Sequence, residues 1–144
     1  MTEVAFHFNV PDKLLYSCRL LRKAWGSGAQ VVVTAEPELL SRLDQMLWTF
    51  SALEFVPHCR LTASAATVAA TPVLLAHSLE ACPYHEVLVN LGQQVPDGFE
   101  RFERFIELVT HADDDRAAAR NRWKHYADRG YAMKRHDVAG TGTL

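Results

Sequence analysis

The run Gln30-Val31-Val32-Val33-Thr34 constrains this chain most. Three consecutive valines carry no alternation, so both faces of their strand must be covered, as happens in a parallel sheet flanked by helices. Parallel neighbours need crossover connections, and the flanking sequence supplies them. Val4 to Phe8 reads as a first buried strand, and Asn9-Val10-Pro11-Asp12 as a helix start with proline near the first helical position. Leu14, Cys18, Leu21 and Trp25 follow at i, i+4, i+7 and i+11 on one helical face, with Gly26-Ser27-Gly28 as the stop. Ala35-Glu36-Pro37 opens a second helix whose Leu39, Leu40, Leu43, Met46 and Leu47 form an apolar stripe. Strand, helix, strand, helix predicts a layered α/β domain.

Pro72 to Ala76 and Glu86 to Leu91 predict further strands. Leu61 to Thr71 has small residues without a period and stays open between loop and weak helix, while Phe99 to Val109 begins helical and ends strand-like. Asp113-Asp114-Asp115 before an alanine-rich run predicts a helix from about Asp114 to Arg129, because carboxylates there satisfy free amides and favour the positive end of the dipole. One domain over 1–138 with a frayed tail over 139–144 is the expected organisation.

At 144 residues and 49% apolar, such a chain buries roughly 68–70% of its unfolded surface without disulfides or metals, which argues against disorder. No run approaches the roughly 20 apolar residues that cross a bilayer, and MTEVAFHFNV lacks the pattern of a leader, so a cytoplasmic protein without membrane contact is expected. Cys18, Cys59 and Cys82 are odd in number and form no CxxC, which fits buried small hydrophobes better than a disulfide framework or zinc knuckle. The turn from Phe8 to Asp12 has no glycine, the Gly-x-Gly at 26 and 28 follows a helix instead of opening one, and no Walker sequence occurs. A phosphate-binding loop, and so a nucleotide cofactor, is not expected. Neither G-x-S-x-G nor a histidine pair at ligand spacing occurs, so no catalytic residue and no metal site is predicted. An enzyme of flavodoxin-like shape is the weakest alternative.

The net charge of −2 hides an asymmetry. From Arg116 to His136 seven basic residues face one acid, Asp128, which leaves +6 there and −8 on the remainder. Such a concentration attracts an anionic partner, nucleic acid or acidic peptide. Arg116, Arg120 and Lys124 follow at i, i+4 and i+8 as one basic stripe with Trp123 beside it. Trp123 reads either as core or as the flat wall of a site for an anionic ligand with an apolar end. The aromatic-dense stretch from Trp48 to His58 either tucks under the domain or lines a pocket.

At Leu43-Asp44-Gln45-Met46-Leu47-Trp48, Glu54-Phe55-Val56-Pro57-His58 and Ala119-Arg120-Asn121-Arg122-Trp123-Lys124-His125-Tyr126, with Gly130-Tyr131 after, the sequence resembles the chi subunit of bacterial DNA polymerase III. The resemblance implies a three-layer, Rossmann-like domain with a mostly parallel sheet, no cofactor and no catalysis. It implies a connector in the clamp loader, paired one-to-one with the psi subunit, that holds the acidic C-terminal tail, ending in proline and phenylalanine, of the single-stranded-DNA-binding protein. DNA contact would be indirect. Arg120 would take the tail's terminal carboxylate through two hydrogen bonds. Arg116 and Lys124 would attract its aspartates, and Trp48, Phe55, Val109 and Trp123 would form the recess for its terminal ring. No motif places the psi-binding surface, for which an apolar patch is expected. The alternative is direct binding of single-stranded nucleic acid by residues 116–136.

Overall fold

Every recorded strand pairing is parallel, as the unbroken valine run requires. The computed structural model describes residues 1–50 and 55–141. Within them the chain forms β1 (Glu3–Val10), α1 (Lys13–Gly26), β2 (Val31–Thr34), α2 (Pro37–Thr49), β3 (His58–Arg60), α3 (Ala65–Ala70), β4 (Val73–Leu75), β5 (Val87–Asn90), a 3-10 turn (Phe99–Arg101), β6 (Arg104–Thr110), α4 (Asp113–Asp128), β7 (Ala132–Asp137) and α5 (Val138–Thr141). The sheet order is β3-β4-β2-β5-β6-β1-β7. Residues Ser51 to Glu54 of the aromatic-dense stretch, and 142–144 of the expected tail, lie outside the described residues.

The valines divide the molecule into layers. Val31 and Val33 join Val73, Leu75, Val87 and Val89 beneath α1 (Leu14, Cys18, Leu21) and α2 (Leu40, Leu43, Leu47). Val32 points the other way, with Leu74, Leu88, Phe105 and Phe6, beneath α3 (Val68) and α4 (Ala119, Tyr126). This is the three-layer Rossmann-like arrangement the sequence resemblance implies, and no described helix is long and apolar enough to cross a membrane.

Three expectations change in detail. Leu61 to Thr71 contains a short helix, α3, started by the Ser64 hydroxyl, which accepts from Thr67 N at 3.2 Å. The ambiguous Phe99 to Val109 is two elements, the 3-10 turn and then β6. At α4 the N-cap is Ala112, without a side-chain cap. Asp115 reaches back instead, accepting from Thr110 N (2.8 Å) and Oγ1 (3.0 Å), with Lys13 Nζ 3.1 Å away. Burial raises the Asp115 carboxyl, but the Thr110 amide and the Lys13 ammonium outweigh it and hold the group below its ordinary value. Neither β3 nor β7 is among the strands that the sequence predicts. Both are edge strands, one very short and one polar, and neither carries a recognisable apolar period.

Candidate functional site

Between His7 and Val10 the register of β1 against β6 slips. His7 pairs with Leu108 and Val10 with Thr110, so Phe8 and Asn9 together stand opposite Val109. The extra residue is a β-bulge, made tolerable by asparagine, which accepts the left-handed φ of 60° at position 9. Its consequence is local and definite. Strict alternation would send Asn9 toward α1 and Val10 toward α4. With the bulge, Phe8 and Asn9 both line the α4 side, and Val10 returns to the core beneath α1. Asn9 Nδ2 also donates to Asp137 Oδ1 on β7 (3.0 Å), fastening the bulge to the edge strand.

The bulge opens a recess of about 470 Å³ between α4 and the sheet, within the ~300–1,000 Å³ typical of ligand sites. Its apolar floor is Phe6, Phe8, Val109 and Ala119, and Trp123 stands edge-on to Phe6 with centroids 5.1 Å apart. Arg116 and Arg120 supply one wall from α4. Arg135 supplies the other from β7, where it is the register partner of Phe6 and so projects on the same side. Among the described residues none of these three guanidinium groups has a carboxylate within ion-pair distance, whereas Lys13, Arg122 and Lys134 do.

Helical geometry decides which part of the basic stripe belongs here. Asp115, Ala119, Arg122 and Tyr126 form the buried face of α4. Trp123 lies at the margin of that face, with Arg116 and Arg120 next to it. Lys124 is rotated about 80° beyond Arg116, at roughly 100° per residue, and is exposed outside the recess lining.

A buried network fixes α4 on the sheet. Glu107 of β6 is fully buried, and its Oε2 accepts from Arg122 Nε (3.0 Å) and Tyr126 OH (2.5 Å), while Oε1 accepts from Asn90 Nδ2 (3.0 Å). Arg122 Nη1 donates to Gln93 O at 3.0 Å. Burial pushes the Glu107 carboxyl above its ordinary value against the pull of Arg122, and burial beside Glu107 likewise raises the Tyr126 phenol.

Of the predicted site residues, the structure therefore brings together Val109, Arg116, Arg120 and Trp123. Trp48 and Phe55 do not join them, which corrects the single recess expected from the sequence. Trp48 ends α2, on the opposite face of the sheet, beside β3, which lies four strand spacings from β6, or about 19 Å at ~4.8 Å each. There Trp48 (62% exposed) and Phe55 (43%) stack against each other with centroids 4.9 Å apart. His58 underlies both rings at 5.3 and 5.6 Å. Its Nδ1 donates to Val56 O (2.7 Å), and its Nε2 lies 2.9 Å from Asp44 Oδ1 in an off-line contact. These rings form a second, apolar surface. Sequence reasoning missed Phe6, Phe8, Asn9 and Arg135. The only signals were an asparagine ending a strand and an arginine in a basic run.

The chain matches the family model described as DNA polymerase III chi subunit, HolC, over residues 1–134. It is 33% identical over 142 residues to the DNA polymerase III subunit chi of Pseudomonas aeruginosa, covering 94% of this chain and 96% of that one. It is 29% identical over 124 residues to that of Haemophilus influenzae, covering 85% of each. Among solved structures the C-terminal domain of S. cerevisiae Dbp5 is similar in fold alone, with a TM-score of 0.62 and 12% identity over 96% of this chain and 90% of that one. With a family match along almost its whole length and a relative above 30% identity, the chain belongs to the DNA polymerase III chi subunit family, a family of replication subunits.

Proposed function

We propose that this replication subunit is a non-catalytic connector, which holds the acidic C-terminal tail of single-stranded-DNA-binding protein in the α4 recess and joins the clamp loader, through psi, by its Trp48–Phe55 surface. The observation that carries the reading is the recess itself, where guanidinium groups without a carboxylate partner among the described residues rim an apolar floor that suits an aromatic residue carrying a carboxylate. Arg120 grips the terminal carboxylate, the terminal ring settles among Val109, Phe6 and Trp123, and Arg116 and the outlying Lys124 draw in upstream aspartates. Micromolar affinity, about −8 kcal/mol, suffices for a tether. Its rim charges act mainly on association rate and are screened beyond about 8 Å at physiological salt.

The second surface supports the connector role. A linker needs two separate docking faces, and exposed aromatics in contact with each other are what a partner interface buries. Against direct binding of single-stranded nucleic acid stands the charge. The chain is net acidic at −2 and its recess gathers three guanidinium groups, whereas a nucleic-acid track spans a face with many phosphate contacts.

The test is a titration of a labelled acidic peptide ending in Pro-Phe. Arg120→Ala is expected to weaken binding by about 1.5–3 kcal/mol, the worth of hydrogen bonds to a charged group, and amidating the peptide's carboxyl to cost a similar amount. An unchanged dissociation constant in both arms refutes the site. An oligonucleotide that binds more tightly than the peptide supports the other reading. For the second surface, Trp48→Ala should abolish co-purification with psi while leaving peptide binding intact.

A further inference from the structure

The recess has a wall that the helix does not supply. Arg135 stands on β7, across the floor from Arg116 and Arg120, and its guanidinium lies over the Phe8 ring, 5.0 Å from the centroid. A cation held over an aromatic face is oriented as well as attracted, so Arg135 presents its donors in a restricted direction although it is exposed. Phe8 can underlie it because the bulge at Phe8-Asn9 keeps both residues on this side of the sheet. Asn9, bonded to Asp137, ties the same corner to β7. The neighbouring Lys134 faces the other way and is engaged with Glu3 at 2.6 Å, which leaves Arg135 as the cation of β7 that looks into the recess.

A recess of about 470 Å³ is larger than one aromatic side chain needs, so the residues preceding the terminal one must also pass along its walls. The geometry points to Arg135 as a specificity-determining residue, which takes a side-chain carboxylate of the acidic peptide upstream of the terminal ring, with Phe8 as its positioning residue. This rests on the recess being the tail site. Two guanidinium walls then read two different carboxylates, the terminal one at Arg120 and an internal one at Arg135. A ligand with only a terminal carboxylate forgoes the contact at Arg135 and keeps the one at Arg120.

The test is a cycle on the full chain by fluorescence anisotropy, with two labelled peptides ending in Pro-Phe, one carrying aspartates upstream and one carrying asparagines in their place. Arg135→Ala should weaken the aspartate peptide about fivefold, the upper end for an exposed ion pair, and make the salt dependence of its dissociation constant shallower. The asparagine peptide should bind the wild type and Arg135→Ala alike. Arg135→Lys should recover part of the loss, and Phe8→Leu should lower affinity for the aspartate peptide more than for its counterpart. Equal losses on both peptides, or no loss on either, overturn the assignment. Arg120→Ala separates the two levels. If it weakens binding while Arg135→Ala does not, only the role of Arg135 fails. If neither does, or the wild type binds neither peptide, the recess is not the tail site and the assignment falls with it.

Discussion

Removing Arg122 should cost this protein more than any other single charge. Its guanidinium is buried, and Nε lies 3.0 Å from Oε2 of a Glu107 that is wholly excluded from water. Arg122→Ala leaves that carboxylate with two neutral donors, Tyr126 OH and Asn90 Nδ2, and no counter-charge. Breaking one side of a buried pair typically costs about 3–5 kcal/mol, a large part of the ~5–15 kcal/mol that holds a domain together. At about 3–4 °C per kcal/mol for a chain of this length, the midpoint should fall by about 9–20 °C. The pH dependence identifies the cause. Without Arg122, burial acts almost unopposed and drives the Glu107 carboxyl further above its ordinary 4.5. The folded variant then retains a proton that the unfolded chain releases, so its deficit is small below pH 4.5 and grows as pH rises through the raised native value. Urea denaturation at pH 5 and pH 8 measures this directly. A loss under about 1 kcal/mol at pH 8, or the same loss at both pH values, refutes the account. Glu107→Leu with Arg122→Met and Tyr126→Phe should restore most of the stability, because Nη2 of Arg122 finds no acceptor among the described residues and the native network is itself incompletely satisfied.

Other outcomes follow from the same geometry. The His7 imidazole, which shares a 2.6 Å hydrogen bond with Tyr16 OH, is pulled down to about 4 by burial and then by neighbouring His136 and Lys23. The unfolded chain therefore binds a proton between pH 6.5 and about 4 that the folded chain refuses, and stability should fall across that window as pH drops, by about 1–2 kcal/mol after allowance for partial solvent screening; His7→Gln should flatten the profile in denaturant titrations. Asn9→Val, which forces a β-branched residue to φ 60°, should destabilise by about 1–3 kcal/mol and weaken the peptide, whereas Asn9→Gly should be nearly neutral for stability. Trp48→Ala removes ring contacts with Phe55 and His58 and should destabilise by about 0.5–1.5 kcal/mol, too little to unfold the chain, so a complete loss of partner binding in that variant is a loss of surface.

The layered fold was legible because covered strands and amphipathic helices leave different periods in a sequence. Val31 to Val33 required cover on both faces, and Leu14, Cys18 and Leu21 supplied one of the covering stripes. β7 was not legible for the complementary reason. An exposed edge strand keeps polar residues such as Lys134 and Arg135, so Ala132 to Asp137 carries no apolar alternation and reads as more of the basic run begun on α4. Half of the recess was therefore visible and half was not. Arg116, Arg120 and Trp123 sit on one helix, where spacing alone says which side chains meet. Phe8, Asn9 and Arg135 come together only through strand pairing and a bulge, and register is a relation between distant segments that no local period records. The misplacement of Trp48 and Phe55 has the same origin. Density of aromatics along the chain says that a surface exists, but which side of a parallel sheet it occupies is set by the crossover that carries α2 over one face and α4 over the other. That separation is also what the proposed connector role requires, since two partners docked on opposite faces of a rigid sheet would not compete for the same atoms.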